Sequence, residues 1–539
     1  MLGLMQDWPL LVHRVIDHAA RHHAEREVVS RSVEGPVHRT TYAELRRRSL
    51  RLAKRLSREG VGLGDRVATM AWNTWRHLEA WYGITGVGAI YHTLNPRLFP
   101  DQIAWILNHA ESRIMLADLT FVPLLERLAP QLPHIRRYVI LTEAAHMPET
   151  SLPGAVDYEG WLAEADEDFA WARFEENTAA GLCYTSGTTG DPKGVLYSHR
   201  SNLLHAMAAV APDVFALRAT DRVLPVVPMF HANGWSLPFA APLAGAALVM
   251  PGPRLDGASV HAVLEEERVT FTAAVPTVWL GLLQHLEATC APLSSLQRVV
   301  IGGSACPRML IEAFAQRGVQ VVHAWGMTEM SPLGSVNVPK PETAGLEPEA
   351  RLDLQCRQGI APFLVDMRIV GDDGQEKPWD GEAFGNLQVK GPAVVRRYFR
   401  EERDALTPDG WFETGDVATI DANGYMQVTD RTKDVIKSGG EWISSIALEN
   451  LAVGHPDVAE AAVIAARHPK WDERPLLVVV PKPGRQPTKE SLIAHLAPHV
   501  ARWWLPDDVV IVEEIPHTAT GKIQKTRLRE TFAGHFAGG

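Results

Sequence analysis

Tyr184-Thr185-Ser186-Gly187-Thr188-Thr189-Gly190-Asp191-Pro192-Lys193-Gly194 brings hydroxyls, flexible glycines and one lysine together within eleven residues. Such a loop can wrap a polyphosphate with backbone N–H groups, side-chain donors and a single positive charge. It is not a Walker A loop, which needs Gly-Lys-Ser/Thr opening a helix. Here Val195 to Tyr197 reads as a strand, and the next helix is predicted only near Ser201. Taken alone, the string also describes a polar hairpin loop, so the rest of the chain must decide.

On both sides of it, short β-branched runs alternate with helical patterns. Arg66–Trp72, Arg113–Ala117, Tyr138–Leu141, Arg222–Val227, Phe271–Val275, Val299–Ile301 and Val319–His323 read as mostly buried strands of an α/β layered fold. Thr41 and Glu44 have capping-box spacing and predict a helix reaching Leu56, while Leu11, Val15, Ile16 and Ala19 recur at helical spacing after Pro9. After about residue 385, turn-rich pieces separate short strands (Asn386–Val389, Tyr425–Val428) and suggest a smaller β unit. Beyond the charge cluster Asp430-Arg431-Thr432-Lys433-Asp434 comes a compact α+β pattern. The expected division is a large N-terminal domain (1–429), a hinge (430–433) and a small C-terminal domain (434–539).

Composition narrows the function. At 539 residues, with 46% hydrophobic and 22% charged, the chain is a globular protein of about three to four domain-sized units. A formal charge of -11 disfavours a general nucleic-acid surface, so a polyphosphate site must be locally basic. Cys183, Cys290, Cys306 and Cys356 are widely spaced, which fits a reducing compartment and neither a disulfide framework nor a zinc site. The N-terminal segment predicts no secretory signal, and the longest apolar stretch, Leu237 to Met250, is too short for a membrane span. A cytoplasmic protein is expected.

The loop is followed, in order, by further motifs. These are Val227-Pro228-Met229-Phe230-His231-Ala232-Asn233-Gly234-Trp235, Gly302-Gly303-Ser304-Ala305, Ala324-Trp325-Gly326-Met327-Thr328-Glu329, Trp411-Phe412-Glu413-Thr414-Gly415-Asp416, Asp430 to Ser444, and Thr520-Gly521-Lys522. Together they resemble the adenylate-forming superfamily of acyl-CoA synthetases, luciferases and peptide-synthetase adenylation domains, across nearly the whole chain. The resemblance implies an α/β fold with a mobile α+β C-terminal domain.

The resemblance also implies roles. Thr185, Ser186, Gly187, Thr188, Thr189, Gly190, Lys193, Gly303, Ser304, Ala324, Trp325, Gly326, Met327, Thr328, Glu329, Asp416, Arg431 and Lys522 would bind ATP or AMP. Trp325 stands where the family usually has Tyr, keeping an aromatic face for adenine; a core Trp is the rival. Asp416 would accept the ribose hydroxyls, though an Asp after Gly also suits a turn. Thr185 and Glu329 offer hard oxygen ligands for Mg²⁺, and Glu329 otherwise reads as a solvated helix residue. His231, Gly234, Trp235 and Gly302 would border the acyl group. Structural roles for His231 and Trp235 stay open. Lys437, Gly439, Gly440, Glu441 and Trp442 would face coenzyme A, and Asp430 and Lys433 would form the hinge. Lys522, His231 and Glu329 are the candidate catalytic residues. By charge pattern alone, Lys522, Lys525, Arg527 and Arg529 read as a solvated face.

The implied reaction joins a carboxylic acid to coenzyme A through an acyl-adenylate, with ATP, Mg²⁺ and CoA. Met1-Leu2-Gly3, Ile16 to Arg21 and Asn95-Pro96-Arg97-Leu98-Phe99 resemble bacterial medium-chain fatty acyl-CoA ligases and 3-methylmercaptopropionyl-CoA ligases. A short or medium-chain fatty acid or 3-(methylthio)propionate is the expected substrate; aryl and long-chain acids remain open. The chain ends soon after Lys522, so no fused carrier domain is expected. Rivals are an acyl-AMP former without CoA and a silent nucleotide-binding scaffold. A homodimer is expected, without nucleic acid.

Overall fold

The computed structural model describes residues 1, 3–185, 191–438, 441–517 and 523–536, the side chains of 441 and 442 apart. Four sheets organise it. An eight-stranded sheet runs in the order Leu333–Val336, Gln320–Gly326, Arg298–Ile301, Phe271–Ala274, Arg222–Pro225, Ala247–Met250, Glu27–Arg31, Val37–Thr41. A seven-stranded sheet runs Val156–Asp157, Arg137–Ile140, Ile114–Ala117, Arg66–Met70, Ile90–Thr93, Ala179–Tyr184, Gly194–Ser198. Both are parallel inside and antiparallel at an edge. The predicted buried strands are all present, shifted by a residue or a few at their ends.

Helices packed between these two sheets share one apolar core that includes Val15, Leu52, Trp81, Tyr91 and Phe239. The capping-box helix is Tyr42–Arg58, where Thr41 Oγ1 accepts from Glu44 N at 3.3 Å. Helix Trp75–Gly86 is buried along its whole length. Its one carboxylate, Glu79, is satisfied by Arg48 (2.5 Å) and the Tyr158 hydroxyl (3.0 Å), as a buried charge requires.

The β unit starts earlier than expected. Its four antiparallel strands are Asp366–Val370, Phe384–Lys390, Phe412–Ile420 and Met426–Arg431. The first pairs antiparallel with Phe384–Lys390 across the connection 371–383, a separation that hides the pairing from local sequence. The separate C-terminal domain holds a five-stranded sheet in which Asp472–Pro481 pairs with Val458–His468, Ile436–Ser438 and Asp508–Ile511. Helices Ser445–Val453 and Lys489–Leu496 cover one face, and Leu528 of helix Lys525–Thr531 packs on the other. No helix among the described residues is long and apolar enough to cross a membrane.

At the carboxyl ends of the parallel strands Arg66–Met70 and Ile114–Ala117, Asp118 donates its N–H to Met70 O (3.1 Å) and accepts from Trp72 N (2.6 Å). Burial pushes its carboxyl up to about 7, against about 3.9 in an unfolded chain. A raised acid pKa means the fold favours the protonated form, so stability is lost as pH climbs from the unfolded to the folded value. Asp118→Asn keeps an acceptor for Trp72 and removes the charge. Its Tm relative to the parent chain is expected to rise at about pH 8 and to change little at about pH 4. Equal Tm differences at both pH values would refute this.

Candidate active site

Ligands in open α/β sheets sit beyond the carboxyl ends of the strands, where turns present backbone N–H groups. A cleft of about 710 Å³ lies there. His231, Ala232 and Trp235 follow strand Arg222–Pro225, Val275 and Thr277 follow Phe271–Ala274, and Gly302, Gly303 and Ser304 follow Arg298–Ile301. Ala324 to Glu329 come from the end of Gln320–Gly326 and the turn after it. The seven-stranded sheet adds Thr185, Asp191 and Lys193; the β unit adds Thr414, Gly415 and Arg431. Lys433 and Asp434 of the connector and Ile523 to Thr526 of the C-terminal domain complete the wall.

Asp416 lies just behind Gly415 and is 2% exposed. Trp325 Nε1 donates to its Oδ2 at 3.0 Å, and Arg431 Nε meets its Oδ1 at 2.9 Å. Arg431 is its cross-strand partner in the sheet, so register alone brings the pair together. The Trp325 ring packs on Gly334, where a Cβ would stand 2.3 Å from it. The indole is thus held flat at the cleft with its N–H consumed, leaving an aromatic surface for a base.

Glu329 is 7% exposed and accepts from the Tyr398 hydroxyl at 2.9 Å. Burial and this carboxylate push the Tyr398 phenol up, so it stays a donor. Lys193 Nζ lies 4.9 Å above the Tyr398 ring, within cation–π range. Tyr398 therefore links the polyphosphate-loop lysine to the acidic residue. It was missed in the sequence because nothing near Arg396-Arg397-Tyr398-Phe399 marks its partner sixty-nine residues away.

The acyl-side segment has an unusual backbone. Ala232, Asn233, Gly234, Trp235 and Ser236 all have positive φ, from 39° to 63°. For non-glycine residues this costs roughly 1 kcal/mol each, so the turn must be held by its surroundings. It lays the Trp235 indole against the glycine pair: a Cβ on Gly302 would stand 3.1 Å from the ring and one on Gly303 3.8 Å. Gly302 and Gly303 supply a ledge for an aromatic ring. Gly234 stands behind the lining, where a Cβ would meet Met229 and Pro238 at 3.4 Å.

Several expectations need correction. Within the connector Asp430 and Asp434 are buried, while Thr432 and Lys433 are exposed. Asp430 accepts from Ser445 N at 2.6 Å and Arg431 N at 2.8 Å; burial raises its pKa and Lys525 opposes the rise. Lys433 is on the cleft wall, and burial lowers its pKa. The basic segment after Lys522 is not a solvated face either. Lys525 pairs with Glu449 at 2.8 Å and Arg529 with Asp434 at 2.6 Å. These pairings were invisible in the sequence because the acidic partners lie far upstream.

Of the residues expected at coenzyme A, the side chain of Lys437 alone is described. Lys437 is exposed and its backbone N donates to Glu473 at 2.8 Å, outside the cleft wall. The short strands Ile436–Ser438 and Glu441–Ile443 pair there. Ser186, Gly187, Thr188, Thr189, Gly190, Gly439, Gly440 and Lys522 lie outside the described residues, as do the side chains of Glu441 and Trp442.

Residues 16–399 match the family model "AMP-binding enzyme", and 447–522 match "AMP-binding enzyme C-terminal domain". The chain is 47% identical to the medium-chain-fatty-acid–CoA ligase of Ectopseudomonas oleovorans, over 99% of this chain and 98% of that one. It is 48% identical to the 3-methylmercaptopropionyl-CoA ligase of Ruegeria pomeroyi, with all of both chains covered. Its fold superposes on the anthranilate CoA ligase AuaEII in complex with anthranoyl-AMP with a TM-score of 0.86, at 24% identity, over 99% of this chain and 100% of that one. Matched over most of its length by the family model and end to end by these relatives, the chain belongs to the AMP-binding enzyme family.

Proposed function

We propose that this chain is an ATP-dependent carboxylate–CoA ligase that works through an acyl-adenylate. The observation that carries the reading is that segments scattered over more than three hundred residues meet in one cleft. They bring a polyphosphate-loop lysine, an aromatic face backed by a buried Asp–Arg pair, and an apolar ledge beside a histidine.

In the first step the acid's carboxylate attacks the α-phosphorus of ATP; acyl-AMP forms and pyrophosphate leaves. Trp325 would face adenine, Asp416 and Arg431 the ribose and phosphate, and Lys193 the polyphosphate. Thr185 and Glu329 fit Mg²⁺: both present hard oxygens on the same wall, and the ion needs few protein ligands when phosphates fill the rest. When bound it would neutralise phosphate charge. Lys522 would enter with the segment whose next residues, Ile523 to Thr526, line the cleft. Its charge would offset the negative charge that builds up at the α-phosphate, an effect worth ~10²–10³ in rate for a fixed donor.

In the second step CoA thiolate attacks the acyl carbonyl and AMP leaves. A thiol of pKa ~8.5 is partly ionised at neutral pH, so a strong base is not required. Gly439, Gly440, Glu441 and Trp442, with Lys437, would meet CoA after the C-terminal domain turns about Asp430 and Lys433. The Lys437 hairpin is outside the cleft wall, whereas Ile523 to Thr526, which follow Lys522 in the chain, line it. A hinge motion would exchange them.

For the acid we propose a short or medium-chain fatty acid or 3-(methylthio)propionate. Relatives of equal similarity carry those two names, and Trp235 on its glycine ledge borders the apolar end of the cleft beside Phe215 and Val275. The protein would act in the cytoplasm as a homodimer, a state that light scattering would test.

Pyrophosphate release over a panel of straight-chain, methylthio and aryl acids tests the function; no release with any acid would overturn it. Lys522→Ala is expected to lower adenylation by ~10²-fold or more while sparing thioester formation from supplied acyl-AMP. Equal loss in both half-reactions of a folded variant would count against its role. Trp235→Ala is expected to alter the kcat/KM profile across the acids while KM for ATP holds. An unaltered profile with lowered Tm would make Trp235 a packing residue.

A further inference from the structure

Beneath the acyl-side turn lies a buried polar cluster that the proposed reaction does not use. Tyr91, on strand Ile90–Thr93, is wholly buried. Its ring stacks on Trp81, with centroids 4.4 Å apart and planes 8° from parallel. It also presses on Gly181, where a Cβ would stand 2.3 Å from Tyr91 Cζ. Packed against both, the ring has little freedom to shift, and its hydroxyl is a fixed point.

That hydroxyl accepts from Asn202 Nδ2 at 3.1 Å and Asn233 Nδ2 at 3.3 Å. Asn202 sits on helix His199–Val210, and both amides are buried. Asn233 is the second residue of the positive-φ run from Ala232 to Ser236. Its Oδ1 is buried without a hydrogen-bond partner among the described residues, so its hold on the cluster is through the Nδ2 donor. Cys183 lies against the backbone of Ala232 and Asn233; burial pushes its thiol up to about 11, so it stays neutral there. Successive left-handed residues bring each Cβ against the following carbonyl, and a turn of this kind persists only when neighbours over-determine it.

We propose that Tyr91, together with Asn202, is a specificity-determining positioning residue: by holding Asn233 it fixes the left-handed turn, and the turn fixes where the Trp235 indole rests on Gly302 and Gly303. The space left for the acid then depends on residues that never touch it. This rests on the reading of Trp235 as a border of the acyl site.

Tyr91→Phe removes the hydroxyl and keeps the ring. Asn233→Gly removes the amide and keeps a residue at ease with positive φ. Both are measured beside Trp235→Ala for kcat/KM over straight-chain acids from propionate to stearate, 3-(methylthio)propionate and benzoate. In both variants the long-to-short ratio of kcat/KM is expected to change by about tenfold, with KM for ATP unchanged. An altered profile in Trp235→Ala, with none in folded Tyr91→Phe and Asn233→Gly, overturns the inference and leaves the reading of Trp235 intact. An unaltered profile in all three sinks both. A uniform fall in kcat for every acid makes the cluster merely structural and also overturns the inference. If Tyr91→Phe does not fold, Asn233→Gly decides alone.

Discussion

One buried carboxylate ties the molecule's parts together. Asp416 belongs to the β unit, its cross-strand neighbour Arg431 closes that unit, and its other oxygen is held by Trp325 at the end of the eight-stranded sheet. A carboxylate 2% exposed must be paired or it will not stay ionised. Meeting that requirement ties the eight-stranded sheet to the β unit and holds the Trp325 indole at the cleft. The segment that follows Arg431 leads directly into the C-terminal domain, so the same pair also sets where the connector departs.

The C-terminal domain is seated by a second set of buried charges. Lys525 pairs with Glu449, is also attracted by the Asp430 carboxylate, and donates to Ser445 Oγ at 2.5 Å. Ser444 Oγ donates to Thr429 O and Ser445 N to Asp430, so the start of helix Ser445–Val453 docks on the last strand of the β unit. Charge pairs of this kind are directional and exchangeable, unlike a large apolar interface. They would suit the turning of the C-terminal domain that we propose. The apolar clusters of the C-terminal domain are its own and do not merge with the larger cores.

The cleft itself divides by chemistry. Its nucleotide side is rigid because each side chain is held by another: Trp325 by Asp416 and Gly334, Glu329 by Tyr398. Its other side carries five residues of backbone with positive φ, among which Asn233 is tied to the Tyr91 hydroxyl beneath. Strain kept at a site in this way is a form of preorganisation.

Local sequence was enough for most strands and helices, Asp366–Val370 excepted. The β-branched runs, the Thr41 cap and the amphipathic first helix each depend on residues within one turn or one strand, and all appear where their patterns placed them. The ordered motifs likewise named most of the residues that now share the cleft. What local sequence could not convey was pairing over distance. Tyr398 with Glu329, Lys525 with Glu449 and Asn233 with Tyr91 join residues whose neighbours in the chain say nothing of each other. The charge cluster at 430–434 misled for the same reason: burial is a property of what packs around a group, and Asp430 is covered by a helix beyond it in the chain. The sequence by itself determined which elements form and which chemistry they carry. Only the tertiary structure decided which side chains hold one another in place, because hydrogen bonds and desolvation act at a few ångströms in space whatever the separation along the chain.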